Sequence, residues 1–134
     1  MMRIKTIIAA AAIAVTSTAV SADMKPAVIY DMGGKFDKSF NEGVYNGVKK
    51  FTDETGIEVM EFEVTNETQR EQAMRRMAER GATVVLGVGF AQADAISKVA
   101  AEFPDTKFSI IDVSWLDAPN PVSYTHLRAH ETRT

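Results

Sequence analysis

The sequence predicts an α/β fold with a parallel Rossmann-like sheet, and two observations carry that prediction. Short β-favouring apolar runs alternate with longer segments whose apolar residues recur at helical spacing, in the order βαβαβαβ. The third run, "TVVLGV" at 83–88, is continuously apolar, as is typical of a strand buried on both faces of a parallel sheet. Strands joined through helices of this length form right-handed crossovers, so we expect helices on both faces of the sheet.

The first half of the pattern predicts two strands and one helix. The first strand covers 27–32, "AVIYDM", and the first helix runs from Ser39 to Gly56, where glycine stops it. The apolar stripe of this helix consists of Phe40, Val44, Val48 and Phe51. The next run, "IEVMEFEV" at 57–64, alternates apolar residues with glutamates, which predicts a half-exposed strand near a sheet edge.

The second half predicts two more helices around the strand at 83–88, and a last strand. The second helix covers Thr68–Arg80 and stops at Gly81. Its inward residues are Ala73, Met74, Met77 and Ala78. The third helix covers 91–103, and the fourth strand is "KFSIIDV" at 107–113.

Residues 1–22 have the three regions of a secretory signal peptide. Arg3 and Lys5 supply the charged start, 7–15 is apolar, and small residues lead to a cleavage site after Ala22. A membrane anchor is the alternative, but it requires about 20 apolar residues, and hydroxyl side chains at 16–18 interrupt this run. We therefore expect the protein to be exported to the periplasm without this leader.

The chain contains no cysteine. A lipoprotein requires a cysteine at its processed N-terminus, and a small disulfide scaffold requires cysteine pairs. The composition therefore argues against both classes and predicts a freely diffusing periplasmic protein.

The last stretch, 122–134, differs in character from the rest of the chain. Its segment "VSYTHLRAHET" has no hydrophobic period and resembles the translation of a transposase sequencing adapter. We interpret 122–134 as an adapter-derived, unstructured tail; a genuine polar tail is the alternative. His126 and His130 have the i, i+4 spacing of metal ligands, but this interpretation removes both from consideration. Residues 23–121 contain neither histidine nor cysteine, so no metal site and no cofactor is predicted.

The remaining domain, 23–121, is acidic. It has 7 lysines and 4 arginines against 8 aspartates and 9 glutamates, a net charge of −6. Such a surface repels nucleic acid and anionic lipid, so neither is expected as a partner.

Polar stretches follow three of the predicted strands. They are "DMGGKFDKSFN" at 31–41, "GVGFAQAD" at 87–94 and "DVSW" at 112–115. Ligands of parallel sheets bind beyond the carboxyl ends of the strands, so these stretches predict one ligand-binding rim. The first stretch fits neither of the common glycine-rich phosphate-binding patterns, and its aspartates would repel phosphate.

Two carboxylates of this rim raise an enzymatic hypothesis. Asp31 and Asp112 end the first and fourth strands, and two nearby carboxylates can divide the acid and base roles of a catalyst. A periplasmic enzyme or sensor module is therefore one interpretation. Aspartate at a strand end is also a common cap or turn former, and turnover separates the classes, because a receptor returns its ligand unchanged.

Two motifs resemble the basic membrane protein family of ABC-transporter substrate-binding proteins, whose best-described member is a purine nucleoside receptor. The first is "DMGGKFDKSFNEGVYNGVKKF" at 31–51, and the second is "VVLGVGFAQADAISKVAAEFPDTKFSIID" at 84–112. The likeness covers about residues 26 to 117. It implies a two-lobed type I periplasmic binding fold, of which 23–121 would be a truncated N-terminal lobe.

The resemblance also implies a function. The protein would be the periplasmic solute-binding component of an ABC importer, most simply for a purine nucleoside or a similar small polar metabolite. Its partners would be that solute and the permease subunits in the inner membrane. It would be a monomer and not an enzyme.

Six residues make up the predicted ligand site. They are Asp31, Phe40, Asn41, Gly89, Phe90 and Asp112. Periodicity alone places Phe40 in the core, whereas the resemblance implies that it faces the cleft and stacks on the ligand ring. Asn41 either bonds a purine edge or completes a helix cap.

The other site residues are assigned more simply. Asp31 and Asp112 are expected at adjacent positions on the rim, as acceptors for hydroxyl or ring N–H groups, while Gly89 and Phe90 border the same space. Asp37 or Ser39 is expected to cap the first helix, and Trp115 could be no more than a lid.

Overall fold

The computed structural model describes residues 23–113, Leu116 and the backbone of 122–125. The predictions for the leader, for Trp115 and for both histidines lie outside the described residues. The strands are β1 (Pro26–Tyr30), β2 (Met60–Glu63), β3 (Val84–Val88), β4 (Lys107–Ile111) and β5 (Val122–Thr125). The α-helices are α1 (Phe40–Thr55), α2 (Gln69–Glu79) and α3 (Ala93–Glu102), and a 3-10 turn covers Phe90–Gln92.

The strands form one sheet in the order β2-β1-β3-β4-β5, and every neighbouring pair is parallel. The predicted α/β fold with a parallel Rossmann-like sheet is confirmed. The alternation of glutamate and apolar residues in β2 correctly predicted an edge strand, because an edge strand exposes part of its surface.

The larger core lies between the sheet and the helices α2 and α3. The strands contribute Ala27, Ile29, Val85, Phe108 and Ile110 to it, and the helices contribute Ala73, Met74, Met77, Ala78, Ile96 and Val99. All four inward residues predicted for α2 are buried. Alternate strand residues face this side, as the two-residue period of a strand requires.

The opposite face of the sheet is covered by α1. Val44, Tyr45 and Val48 of this helix pack against Val28 and Tyr30 of the sheet. An apolar groove of about 490 Å³ lies beside the helix. Because Asn41 is the only residue of α1 that is fully buried among those described, this helix covers its face less completely than α2 and α3 cover theirs.

Glycines end two of the helices as predicted. Gly56 is left-handed, with φ 71°, and its N–H donates to the Thr52 carbonyl oxygen at 2.8 Å; Gly81 follows α2 with φ 86°. Left-handed backbone is a common helix end and favours glycine. None of the described helices combines the length and apolar character of a membrane span.

The third helix starts later than its sequence predicted. The chain first forms the 3-10 turn Phe90–Gln92, and α3 begins at Ala93. The fully buried Gln92 explains the turn, because its Nε2 donates to the carbonyl oxygens of Ile29 at 2.8 Å and Val88 at 3.2 Å. These carbonyls end the β1 and β3 ladder, so the turn places an amide where buried backbone acceptors need a donor.

The prediction that the whole of 122–134 is unstructured is wrong for Val122–Thr125. These four residues form β5 and pair in parallel with β4, with Phe108 opposite Val122 and Ile111 opposite Thr125. Without them β4 would be an edge strand with unpaired backbone groups, and the β-favouring sequence "VSYT" suits that edge. Its adapter origin stays a prediction.

Candidate functional site

The candidate site lies where β1 and β3 end side by side. Asp31 follows β1, and Gly89 and Phe90 follow β3. Asp31 Oδ2 lies 3.6 Å from the point where a Cβ of Gly89 would be, and Gly89 has φ 93°. Asn41, near the start of α1, bonds the backbone of Asp31. The structure therefore brings four predicted site residues together on one rim.

The glycine-rich loop 31–39 is held against β2. Glu63 Oε1 accepts the backbone N–H of Lys35 at 2.9 Å. A Cβ on Gly34 would lie 2.9 Å from that same oxygen, and Gly34 also has φ 73°. The left-handed backbone therefore favours glycine at position 34, and a larger residue would also have to displace the flexible Glu63 side chain from its bond to Lys35.

Lys35 makes a second connection between the loop and β2. Its Nζ lies 3.2 Å from Glu61 Oε2, and the same oxygen accepts the Tyr30 hydroxyl at 2.7 Å. Burial, with the hydrogen bond to Glu61 next in importance, raises the pKa of the Tyr30 phenol well above its usual range. Tyr30 therefore stays a neutral donor, and the loop is tied to two neighbouring strands.

Asp37 caps α1. Its Oδ1 accepts the N–H groups of Ser39 at 2.8 Å and Glu42 at 3.1 Å, and its Oδ2 accepts that of Asn41 at 3.2 Å. Of the two predicted caps, Asp37 is confirmed, and Ser39 makes no capping bond through its side chain. Partial desolvation raises the pKa of Asp37, but the donated hydrogen bonds together outweigh it and hold the pKa below its ordinary value.

We expect Asp37→Asn to lower the melting temperature at neutral pH and to change how stability depends on pH. A carboxyl whose pKa is lower in the folded state stabilises above its unfolded pKa, and that contribution is lost as pH falls through the folded pKa. The difference in melting temperature between wild type and Asp37→Asn should therefore decrease as the pH falls below 3.8, the ordinary pKa of this carboxyl. Melting curves from pH 7 to pH 2 measure it, and a gap that stays constant over that range contradicts the assignment.

Asn41 is buried, with 3% of its surface exposed. Its Oδ1 accepts the Asp31 N–H at 3.1 Å, and its Nδ2 donates to the Asp31 carbonyl oxygen at 3.1 Å. The side-chain amide therefore satisfies both backbone groups of Asp31, as a neighbouring strand would, at the point where β1 ends. The Asn41 side chain bonds the end of β1 and does not cap α1, so the cap role considered for it is wrong, and direct contact with a purine edge stays a prediction.

Asn41→Ala should destabilise the fold whether or not ligand is present. The substitution leaves the N–H of Asp31 without its partner, while the Asp31 carbonyl keeps only the Gly34 N–H at 3.3 Å. An unsatisfied buried polar group costs about 1–3 kcal/mol. Urea unfolding of the variant measures the loss. Asn46→Ala on an exposed position of the same helix is the matched control, and equal stability of the two variants would contradict the role given to Asn41.

The carboxylate of Asp31 is paired with an arginine that the sequence analysis missed. Arg70 Nε and Nη2 both donate to Asp31 Oδ1, at 3.1 Å and 2.9 Å. A signal for it existed in the sequence, because Arg70 stands in the first turn of a helix, where the helix dipole disfavours a cation. An arginine there is best explained by an acidic partner.

Several large apolar side chains are exposed on the loops around this rim. Their exposed fractions are 48% for Met32, 71% for Phe36, 47% for Phe40 and 64% for Phe90. The prediction from periodicity that Phe40 is a core residue is wrong, because Phe40 is half exposed at the first position of α1. Phe36 packs edge-on against Tyr45 with ring centroids 5.3 Å apart, whereas no ring contact is found for Phe40 or Phe90 among the residues that the structure describes.

Asp112 does not stand beside Asp31. Strand β3 lies between β1 and β4, so the backbones of the strands that these residues follow are about 10 Å apart, two strand spacings. Asp112 has a left-handed backbone, with φ 70°, and is partly buried. The expectation of adjacent positions is corrected, and the structure pairs Asp31 with Arg70 instead of a second carboxylate.

This arrangement, a parallel α/β sheet with open aromatic faces and a paired carboxylate at its carboxyl rim, is that of a small-molecule-binding domain. Residues 24–131 match the family model described as ABC transporter substrate-binding protein, PnrA-like. The chain belongs to this family, which confirms the resemblance found in its motifs.

Two curated relatives illustrate the relationship. Basic membrane protein A1 of Borrelia garinii is 32% identical over 100 residues, 73% of this chain and 29% of its own length. The ABC transporter nucleoside-binding protein BmpA of Lactococcus lactis is 27% identical over 114 residues, 82% of this chain and 32% of its own length. The chain thus spans about a quarter to a third of the length of the curated relatives it matches.

The fold has a counterpart among solved structures. An ABC transporter solute-binding protein from Aeropyrum pernix K1 is 25% identical, with a TM-score of 0.68. The match covers 75% of this chain and 28% of that chain. The same α/β sheet therefore occurs within a longer solute-binding protein.

Proposed function

We propose that this chain belongs to the solute-binding component of an ABC importer and that the solute is a purine nucleoside or a similar small polar metabolite. The observation that carries the proposal is the exposed aromatic ring of Phe40 next in the chain to Asn41, which bonds the backbone of Asp31, whose carboxylate is partnered. An aromatic face suits a planar base, and a fixed carboxylate oxygen suits a hydroxyl donor. Family membership and the nucleoside-binding relative from Lactococcus lactis support the choice of ligand.

Each predicted residue has a distinct part in this proposal. Phe40 stacks on the base, and Phe90 borders the same space from the end of β3. Asp31 accepts a hydrogen bond from the ligand through Oδ2, the oxygen that faces Gly89. Asn41 acts through the backbone of Asp31. Asp112 contacts a more distant part of the ligand, because it follows β4, and β3 lies between β4 and the strand that Asp31 follows.

The proposed partners and location follow from the family. The substrate-binding proteins of ABC importers act outside the cytoplasm and deliver solute to permease subunits in the inner membrane. We propose a freely diffusing periplasmic monomer. Relatives from Pyrococcus furiosus and Pyrococcus abyssi are named lipoproteins, so fractionation of cells into soluble periplasm and membrane decides between diffusion and anchoring.

The enzymatic alternative has no supporting contact in the described residues. Strand β3 lies between the strands that Asp31 and Asp112 follow, so the two residues do not end neighbouring strands, and no contact between them supports an acid–base pair. Asp31 is instead bonded to the guanidinium of Arg70. We therefore propose binding without turnover.

This chain spans about a quarter to a third of the length of its curated relatives, so calorimetry on a full-length protein of the relatives' size tests the function. Adenosine, guanosine and inosine are titrated beside the free bases and ribose, and bound solute is recovered for mass spectrometry. The proposal expects binding of at least one nucleoside more tightly than its base or ribose, with the ligand recovered intact. Binding of none, or recovery of cleaved nucleoside, would overturn it.

A further inference from the structure

Arg70 and Asp31 form an ion pair at the edge of the candidate site. The side chains are largely withdrawn from solvent, with exposed fractions of 11% and 21%. They are 39 positions apart in the sequence, and the contact joins the first turn of α2 to the end of β1. The pair therefore fixes the position of the carboxylate on the rim as well as its charge.

The geometry of the pair divides the two carboxylate oxygens. Both guanidinium contacts go to Oδ1, from Nε at 3.1 Å and from Nη2 at 2.9 Å. Oδ2 faces Gly89 instead, 3.6 Å from the point where a Cβ of that residue would be. Of the two oxygens, one is held by Arg70, and no donor among the described residues bonds the other.

We propose that Arg70 is a specificity-determining residue. Its positive charge offsets the negative charge of Asp31, so that Oδ2 accepts a hydrogen bond from an uncharged, hydroxyl-bearing ligand. Cationic analogues of that ligand are disfavoured. This inference rests on the proposed function. An unpaired carboxylate in a closing cleft attracts a cation strongly, whereas a carboxylate already paired with a guanidinium offers a cation little net attraction. A hydroxyl needs only the acceptor, so it keeps its hydrogen bond in either case.

The same helix carries a matched control. Arg75 donates to Glu102 through Nε and Nη2, both at 2.7 Å, and links α2 to α3. This pair is more exposed, at 35% and 44%, and involves no residue of the rim. Its removal takes away an arginine–carboxylate pair without touching the candidate site.

The experiment measures ligand preference in the full-length protein. Wild type, Arg70→Gln, Arg70→Lys and Arg75→Gln are titrated with adenosine and with its 3′-amino and 5′-amino deoxy analogues, whose amines are protonated at neutral pH. Arg70→Gln should shift the preference toward one of the amino analogues by about tenfold or more, the effect of gaining one favourable charge contact. Arg70→Lys keeps the charge and should keep the wild-type preference, as should Arg75→Gln.

The preference ratio separates specificity from a structural role. If Arg70→Gln weakens adenosine and both analogues equally, Arg70 only supports the fold and the inference is wrong. The inference would also be overturned if wild type bound adenosine monophosphate more tightly than adenosine and Arg70→Gln lost this difference. In that case the guanidinium would bind an anionic group of the ligand.

The design also distinguishes this inference from the function on which it rests. Nucleoside binding by wild type with an unchanged preference in Arg70→Gln defeats the inference alone. If wild type binds neither adenosine nor its analogues nor the other nucleosides, the proposed function fails, and the inference fails with it. Should Arg70→Gln not fold, the Arg70→Lys variant decides, because a shifted preference despite the retained charge contradicts the inference.

Discussion

Phe40→Ala in the full-length protein is expected to weaken nucleoside binding about tenfold to a hundredfold. The ring is 47% exposed at the start of α1, beside Asn41 and the carboxyl end of β1. Stacking of a base on an aromatic side chain contributes about 1–3 kcal/mol, and each 1.4 kcal/mol is about tenfold in affinity. Calorimetry with the nucleoside that wild type prefers measures the change.

Three further variants make this result specific. Phe40→Tyr keeps the aromatic face and should retain most of the affinity, whereas Phe40→Leu keeps apolar volume without a ring and should resemble Phe40→Ala. Phe36→Ala removes an exposed ring that packs on Tyr45 and should change affinity little. Wild-type affinity in a folded Phe40→Ala variant would show that the ligand does not stack on this residue.

Phe108→Ala should have the largest effect on stability. Phe108 is 1% exposed and lies in the core between β4 and the helices α2 and α3. Truncation of a buried phenylalanine to alanine removes apolar contacts and leaves a cavity, which costs about 3–5 kcal/mol. Urea unfolding of residues 23–134 measures the loss in the free energy of unfolding.

The control for this prediction is the same substitution at an exposed ring. Phe90 is 64% exposed, so Phe90→Ala should change stability by about 0.5 kcal/mol or less, as surface substitutions usually do. Phe108→Leu, which keeps much of the buried volume, should fall between the two and remains measurable if Phe108→Ala does not fold. Equal losses at positions 90 and 108 would contradict the core described for this face of the sheet.

The elements of the fold could be predicted because their signals are local. The two-residue and helical periods identified four strands and three helices, and glycines at the ends of α1 and α2 placed their stops within about a residue. β5 was missed because its pairing depends on the free edge of β4, which no local pattern of 122–125 reveals. The start of α3 was missed because Gln92 turns inward to bond backbone carbonyls of two strands.

The candidate site was harder to predict, because its contacts join distant parts of the chain. The strand ends and the family motif together indicated Asp31, Phe40 and Gly89. The partner of Asp31 lies 39 positions away on α2, and periodicity carries no information on such a pair. The buried role of Asn41 was left open for the same reason, since an amide on a motif can face either a ligand or the backbone.

A co-crystal structure of the full-length protein with its preferred nucleoside tests the central claim most directly. We expect the base to lie against the face of Phe40 at van der Waals distance, about 3.5–4 Å. We also expect a ligand hydroxyl to donate to Asp31 Oδ2 while Arg70 remains bonded to Oδ1. A nucleoside bound away from this rim, or one whose base makes no contact with Phe40, would contradict it.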